Sequence, residues 1–355
     1  MCPRVGALTK RERLVLLAIA VLTALAGIAR YSGAAALLAF GLATIALAGL
    51  AYVVSFSTEQ VGEQFGPAVT GLLQTTLGNL PELFIVIFAL KAGQTVVAQT
   101  SIIGSLFANA LLVLGAVIVV GAGRASDGVM RFNKRLPNDT ATLLLVAVFI
   151  IVVVGLSIAS NDHASHHIKG LSVVGAICLL GVYAAWVIPY ARSEQGDGDA
   201  HPPRVPLPVS LTMLCVAGVA SAFVSDWFIH ALEPSIEKLG VSQAFAGLVI
   251  VAIAGNAVEN TTGLVLARKG QSDLAVSVVK NSVSQIAVFL FPALVLISLL
   301  FSHQLTFALD PVYIGALLVT ALSVWQITGD GEAVAFEGWA LIAIYVILAA
   351  LTLYE

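Results

Sequence analysis

Charge is scarce in this chain: Asp, Glu, Lys and Arg make up 10% of its residues, against roughly 25% in soluble domains. That shortage excludes an ordinary soluble globular fold. The net charge of −3 supplies no basic field, so nucleic acid is not an expected partner. Cysteine is nearly absent as well. Cys2, Cys178 and Cys215 show no CxxC or paired spacing, which excludes a disulfide framework, and the two inside apolar runs read as small core residues. No HExxH, GxSxG or DDxxD stretch occurs, so neither an enzyme nor a cofactor is expected.

What the chain has in excess is apolar surface, with 59% hydrophobic residues and a mean hydropathy of +0.99. Runs long enough to cross a bilayer core, about 20 residues each, predict an all-α polytopic membrane protein with eleven transmembrane helices. The predicted spans are 14–29, 34–56, 67–90, 95–121, 139–159, 170–190, 207–231, 242–267, 272–300, 307–327 and 338–354. The first run follows Arg4, Lys10, Arg11 and Arg13 like a signal peptide, yet no small-residue cleavage site separates it from the next run, so it is expected to be retained. With the N-terminus cytoplasmic, Arg4, Lys10, Arg11, Arg13, Arg124, Arg131, Lys134, Arg135, Arg192, Arg204, Arg268 and Lys269 all fall inside. Only Arg30, Lys91, Lys169 and Lys238 then fall outside, and this bias sets the expected orientation. An odd number of spans leaves Glu355 outside.

The stretch from Leu77 to Gly115 is repeated later in the chain. At a constant offset of 177 residues, Gly78, Asn79 and Glu82 fall on Gly255, Asn256 and Glu259. Lys91 falls on Arg268, Gly93 and Gln94 on Gly270 and Gln271, and Ser105 on Ser282, all without a gap. The spans therefore divide as one plus five plus five. Because five is odd, the halves are expected to enter the membrane from opposite sides as inverted repeats. The expected organisation is a cytoplasmic N-terminus and extra helix over 1–33, a first repeat over 34–190, a cytoplasmic linker over 191–206 and a second repeat over 207–355. Glu194, Asp197 and Asp199 make that linker mildly acidic, as a solvated segment is.

Glu82 and Glu259 are the two residues on which functional inference concentrates. A charged residue at the centre of a membrane helix costs about 2.5–3.5 kcal/mol on insertion scales, so it marks an ion pathway unless it pairs with a neighbouring helix. Gly78, Gly255 and Pro81 weaken the helix beside each carboxylate, freeing carbonyls near Asn79 and Asn256. Carboxylate, amide and carbonyl oxygens suit a hard cation such as Ca²⁺ rather than zinc or copper. Ser101, Ser105 and Asn109 are spaced by four on one helix face, and Asp273, Ser277, Lys280, Asn281, Ser284 and Gln285 form a second polar face expected to point into the bundle. Lys280 has three readings: a pair with Asp273, a pair with Glu259, or a side chain that snorkels.

Both stretches resemble the signature repeats of the Ca²⁺/H⁺ exchanger family, the cation/proton branch of the Ca²⁺/cation antiporters. The first shows GN-x-x-EL, AL-x-x-G, and GS followed by Asn109 and LLVLG; the second shows GNA-x-E, Asp273–Leu274, and QIA from Gln285 with Pro292 after it. The resemblance implies exchange of cytoplasmic Ca²⁺ for protons, with Glu82 and Glu259 as the central acidic pair and Asn79, Asn256, Ser105 and Ser282 beside them. Lys280, Asp273, Gln285 and Asn109 are candidates for tuning that site. The sequence departs from the family at Asn260, where a His usually follows the second Glu, and at Asn281–Ser282–Val283, where Gly-Ser-Ser is usual. Pro81 resembles instead the Na⁺/Ca²⁺ exchanger branch.

Two neighbouring carboxylates in a low-dielectric cavity cannot both stay ionised and empty, so protons or a divalent cation neutralise them in turn. The alternatives are Na⁺ or K⁺ exchange for H⁺ on the same scaffold, for which Lys280 speaks, and Na⁺/Ca²⁺ exchange. The expected partners are Ca²⁺, H⁺ and the lipid bilayer, and the chain admits a homo-oligomer. Short loops and the Ala and Gly content fit a bacterial plasma membrane. Asp162, His163, His166 and His167 read as a solvated outside loop, as does His303, and Glu59 and Glu63 as a cytoplasmic interfacial segment ahead of the third span.

Overall fold

The structure, a computed structural model, describes residues 8–65, 73, 77–133, 135–193 and 204–355. Cys2, Arg4, Lys134, most of 67–76 and the acidic centre of the expected linker lie outside the described residues. The helices are α1 (Lys10–Tyr31), α2 (Ala36–Phe65), α3 (Leu80–Lys91), α4 (Thr95–Arg124), α5 (Arg135–Ala159) and α6 (Ile168–Ser193). They continue as α7 (Leu207–Leu239), α8 (Gln243–Gly255), α9 (Ala257–Arg268), α10 (Ser272–Ser298), α11 (Pro311–Thr328) and α12 (Ala335–Leu353). Among the described residues nine helices are long and apolar enough to cross a membrane, and ten if α8 and α9, bent by 60° at their junction, count as one.

The surface is apolar, and several polar side chains are enclosed in an otherwise apolar interior. Phe149, Leu156, Val216 and Ile347 are exposed, while Ser57, Thr58, Gln60, Asn109, Ser221 and Ser225 are fully enclosed. This is the distribution lipid imposes, because hydrocarbon solvates Leu and Phe and refuses unsatisfied polar groups. The two expected core cysteines illustrate the rule against expectation. Cys178 and Cys215 are exposed on outward apolar faces, since apolarity cannot separate a protein core from a lipid-facing surface. Buried residues make up 83% of the most apolar part of α4 and 67% of that of α10, against 44% or less in the other unbroken spans. The two helices with polar stripes are thus the enclosed ones.

The chain forms two compact units, residues 1–88 with 184–240, and 89–183 with 241–355. In the first, α2 packs along α7, with the Phe40 and Phe228 rings 4.9 Å apart. The last turns of α2 hold the entry to α7. Gln60 Oε1 accepts hydrogen bonds from the backbone N–H groups of Arg204 (3.1 Å) and Val205 (3.2 Å), and Gln60 Nε2 donates to Glu63 at 2.8 Å. Glu59 and Glu63 therefore belong to the end of a continuous helix that runs past the predicted end of the second span at 56. Likewise α7 runs on to Leu239, beyond the predicted end at 231, because its charged final turns leave the apolar stretch without breaking the helix.

In the second unit, helices approach by backbone contact. A Cβ placed on Gly104 of α4 would lie 2.5 Å from Leu248 Cα and O of α8, and one on Gly247 of α8 would strike Thr100 of α4. A Cβ on Gly115 of α4 would likewise lie 2.6 Å from Gly338 O of α12, and one on Gly338 2.5 Å from Gly115 O. Such small-residue crossings are how membrane helices gain close packing. Two short strands, β1 (Val129–Arg131) and β2 (Glu332–Val334), pair antiparallel with Met130 opposite Ala333. Arg131 joins Glu332 (3.2 Å) and Asp127 (2.7 Å), and its hydrogen bond holds the Asp127 carboxyl below the usual range. Three-residue strands carry no readable period, so the sequence does not announce them.

Gly104→Ala is expected to lower stability in detergent by about 1–3 kcal/mol, the usual range for overpacking a filled site. Gly123→Ala, on the same helix with nothing within 4 Å, is expected to be neutral or slightly stabilising. Thermal unfolding of both variants by intrinsic fluorescence checks the pair.

Candidate functional site

The duplicated stretch folds the same way twice. α3 starts at Leu80 and ends at Lys91, and α9 starts at Ala257 and ends at Arg268, each pair being 177 residues apart. Gly93 (φ 79°) and Gly270 (φ 75°) both take the left-handed conformation that closes a helix C-terminus. Gln94 N–H donates to Ala89 O at 2.8 Å, and Gln271 N–H to Leu266 O at 3.0 Å. The next helices then start at Thr95 and Ser272, and both widen into π-helix, over Ala108–Val113 in α4 and Ile286–Leu290 in α10. π-segments occur mostly as local bulges at functional positions, and a third, Ala246–Val251, lies in α8 ahead of the break at Asn256.

Each carboxylate stands in the first turn of a helix that begins at a break. Glu82 follows the Gly78–Asn79 turn in the first unit, where both it and Asn79 are buried. Pro81 sits in the opening turn of α3, where its missing N–H costs nothing. Glu259 occupies the matching place in α9 of the second unit and is half-buried. A first turn presents unpaired N–H groups and the positive end of the helix dipole, which stabilises an ionised carboxylate there.

Around the break in the second unit, four of the predicted residues form one hydrogen-bonded network. Asn109 Nδ2 donates to Asn256 Oδ1 at 2.7 Å and to Ser282 Oγ at 3.2 Å. Asn256 Nδ2 donates to Ser105 Oγ at 2.8 Å and to Ala252 O at 2.9 Å. Asn109 and Asn256 are 0% and 1% exposed, and the Asn109 Oδ1 oxygen has no hydrogen-bond partner among the described residues. The network ties α4, the α8–α9 junction and α10 together and leaves an oxygen available within it. Glu259 follows Asn256 by three residues, nearly one helical turn.

Of the four tuning candidates Asn109 belongs to this network, while Asp273 and Lys280 turn to other partners. Asp273 is exposed, and its carboxylate accepts from the backbone N–H of Asn133. It therefore does not lie on an inward-facing polar surface, because it serves the start of α10 and the loop after β1. Gln285 is half-buried one turn beyond Ser282. Lys280 is 2% exposed, and its Nζ donates to Pro137 O at 2.9 Å and to Thr328 Oγ1 at 2.8 Å. It lies two residues from Ser282, a separation that puts side chains on different helix faces. Lys280 thus fastens α10 to the start of α5 and the end of α11. Pro137 and Thr328 are functional neighbours that the sequence could not supply, because a backbone carbonyl and a lone hydroxyl give no motif.

Other expected clusters stay ordinary. His163, His166 and His167 are exposed in a single 3₁₀ turn capped by Asp162, and no group of three metal-ligating side chains occurs among the described residues.

The sodium/calcium exchanger protein family model matches residues 35–189 and 209–354. The vacuolar calcium ion transporter of Schizosaccharomyces pombe is 30% identical over 89% of this chain and 79% of its own length. The Ca²⁺/H⁺ antiporter ChaA of Bacillus subtilis is 30% identical over 87% of this chain and 90% of its own. The solved structure of native YfkE superposes with a TM-score of 0.81 at 28% identity, covering 96% of this chain and 100% of that one.

Lys280→Ala is expected to cost about 2–5 kcal/mol, since it opens a cavity and removes two buried hydrogen bonds. Lys280→Met, which keeps the volume but removes both hydrogen bonds, is expected to cost less than Lys280→Ala and still to destabilise, and a Lys280→Met protein as stable as the unsubstituted one in denaturant unfolding would contradict the tether. Motifs, local geometry and relatives agree, and the chain belongs to the sodium/calcium exchanger protein family.

Proposed function

We propose that this protein is a secondary antiporter that exports cytoplasmic Ca²⁺ in exchange for H⁺, with Glu82 and Glu259 acting as a pair. The observation that carries the reading is the repeated element: an Asn just before a helix start, a Glu in that helix's first turn and a left-handed Gly after its end, present twice at the same spacing. The relatives named as a Ca²⁺/H⁺ antiporter and a vacuolar calcium ion transporter support the ion and the coupling. Asn79, Asn256, Ser105 and Ser282 supply neutral oxygens beside the carboxylates, the donor set that a hard cation prefers. Two carboxylates near one another in low dielectric demand neutralisation, and two protons or one Ca²⁺ meet that demand in mutually exclusive ways. Exclusive occupancy at a site opening to one side at a time gives coupled exchange.

The same reading retains eleven spans, one plus two inverted repeats of five, over 1–33, 34–190 and 207–355 with a cytoplasmic linker over 191–206. It places the protein in a bacterial plasma membrane with the N-terminus cytoplasmic and Glu355 outside, in keeping with the distribution of Lys and Arg. No cofactor enters the cycle, and a homo-oligomer is compatible with it. Asn260 carries no titratable group where relatives of the proton branch usually place His, so proton binding falls to the paired carboxylates. Exchange of Na⁺ or K⁺ for H⁺ rested on Lys280, whose bonds to Pro137 and Thr328 lend it no support.

In proteoliposomes with an imposed pH gradient, Glu82→Gln and Glu259→Gln are each expected to reduce proton-driven ⁴⁵Ca²⁺ uptake at least tenfold. Uptake that survives both substitutions sinks the paired-carboxylate site. A gradient dissipated by Na⁺ and not by Ca²⁺ overturns the choice of ion.

A further inference from the structure

The first unit carries a second site of a different kind. A groove of about 730 Å³ runs along α3 and α7, and Phe84, Phe88, Phe223 and Trp227 give it an apolar wall. Its size falls within the roughly 300–1,000 Å³ of small-molecule sites. Gly218 keeps one wall open, since a Cβ there meets only Leu80, at 3.7 Å. Tyr31, the last residue of α1, and Asp226 of α7 also line it.

Two opposite charges flank the Tyr31–Trp227 ring pair without pairing, Arg30 directly before Tyr31 and Asp226 directly before Trp227. The Arg30 guanidinium lies 5.5 Å from the centroid of the Tyr31 ring, and Tyr31 packs edge-on against Trp227 at 6.1 Å. The Arg30 Nε is buried and has no hydrogen-bond partner, and the exposed Asp226 forms no ion pair or hydrogen bond, among the described residues. Both charges sit where an apolar run ends. Leu14–Ala29 precedes Arg30 without a charge, and 207–225 precedes Asp226 in the same way, with His230, Glu233, Glu237 and Lys238 following. Tyr31 and Trp227 therefore mark the membrane–water boundary, where such rings gather.

We propose that this groove binds an amine-headed phospholipid, phosphatidylethanolamine, with one acyl chain along the aromatic wall. Arg30 takes the phosphate, for which a guanidinium is suited geometrically, and Asp226 takes the ammonium. The charge pattern selects this headgroup. Phosphatidylglycerol offers a phosphate but no cation for Asp226, and the quaternary ammonium of phosphatidylcholine has no N–H to donate.

The test is native mass spectrometry of the full-length protein, delipidated in dodecyl maltoside and titrated with each of the three lipids bearing identical acyl chains. One phosphatidylethanolamine is expected to bind about tenfold more tightly than either competitor, the worth of one charge-assisted hydrogen bond. Asp226→Asn is expected to erase the preference over phosphatidylglycerol, and Arg30→Gln to weaken both anionic and zwitterionic lipids. Gly218→Leu fills the groove and is expected to weaken all three. Equal affinity of the unsubstituted protein for the three lipids overturns the proposal. So does unchanged phosphatidylethanolamine binding in the Asp226→Asn and Arg30→Gln proteins.

Discussion

A helix broken in the middle of a bilayer leaves backbone and side-chain polar groups that no water reaches, and each is costly unless it finds a partner within the protein. The hydrogen bond from Asn109 to Asn256 is where this chain meets that demand. Asn256 stands at the break between α8 and α9, and its amide spends one end on Ser105 and Ala252 while the other receives Asn109. Without that arrangement the 60° bend would expose orphan groups to hydrocarbon. With it, α9 can begin again beside α4 and α10 and carry Glu259 in its first turn. The two helices that share this network, α4 and α10, are also the most enclosed of the unbroken spans.

Much of this was legible in the sequence because the duplication repeats both chemistry and punctuation. Gly78–Asn79 and Gly255–Asn256 mark breaks, Gly93 and Gly270 mark stops, and the helices between them have matching ends. Ser105, Asn109, Asn256 and Ser282 were singled out as polar residues in apolar surroundings, and lipid physics brings such residues together. The π-segments were not legible, since widening a helix by one residue per turn changes no residue type. Neither was the strand pair, which has no counterpart in the duplication: at the same offset, β1 falls on 306–308, which is not a strand.

The errors share one cause. An apolar pattern reports avoidance of water and is silent on whether a side chain meets protein or lipid, so Cys178 and Cys215 were assigned to the wrong environment. A polar residue on a helix face likewise does not disclose its partner. Asp273 turned to a backbone N–H in a loop, and Lys280 to a proline carbonyl and a threonine hydroxyl. Contacts to the backbone leave no trace in composition or spacing.

The reciprocal glycine crossings of α4 with α8 and α12 set the thermal character of the second unit. Helices already surrounded by hydrocarbon shed lipid rather than water when they meet, so dispersion and hydrogen bonding hold them. Dewetting of apolar surface is what gives soluble proteins their large heat-capacity change on unfolding. A crossing made by backbone touching backbone within lipid contributes little of it, and its strength varies only gently as the temperature falls.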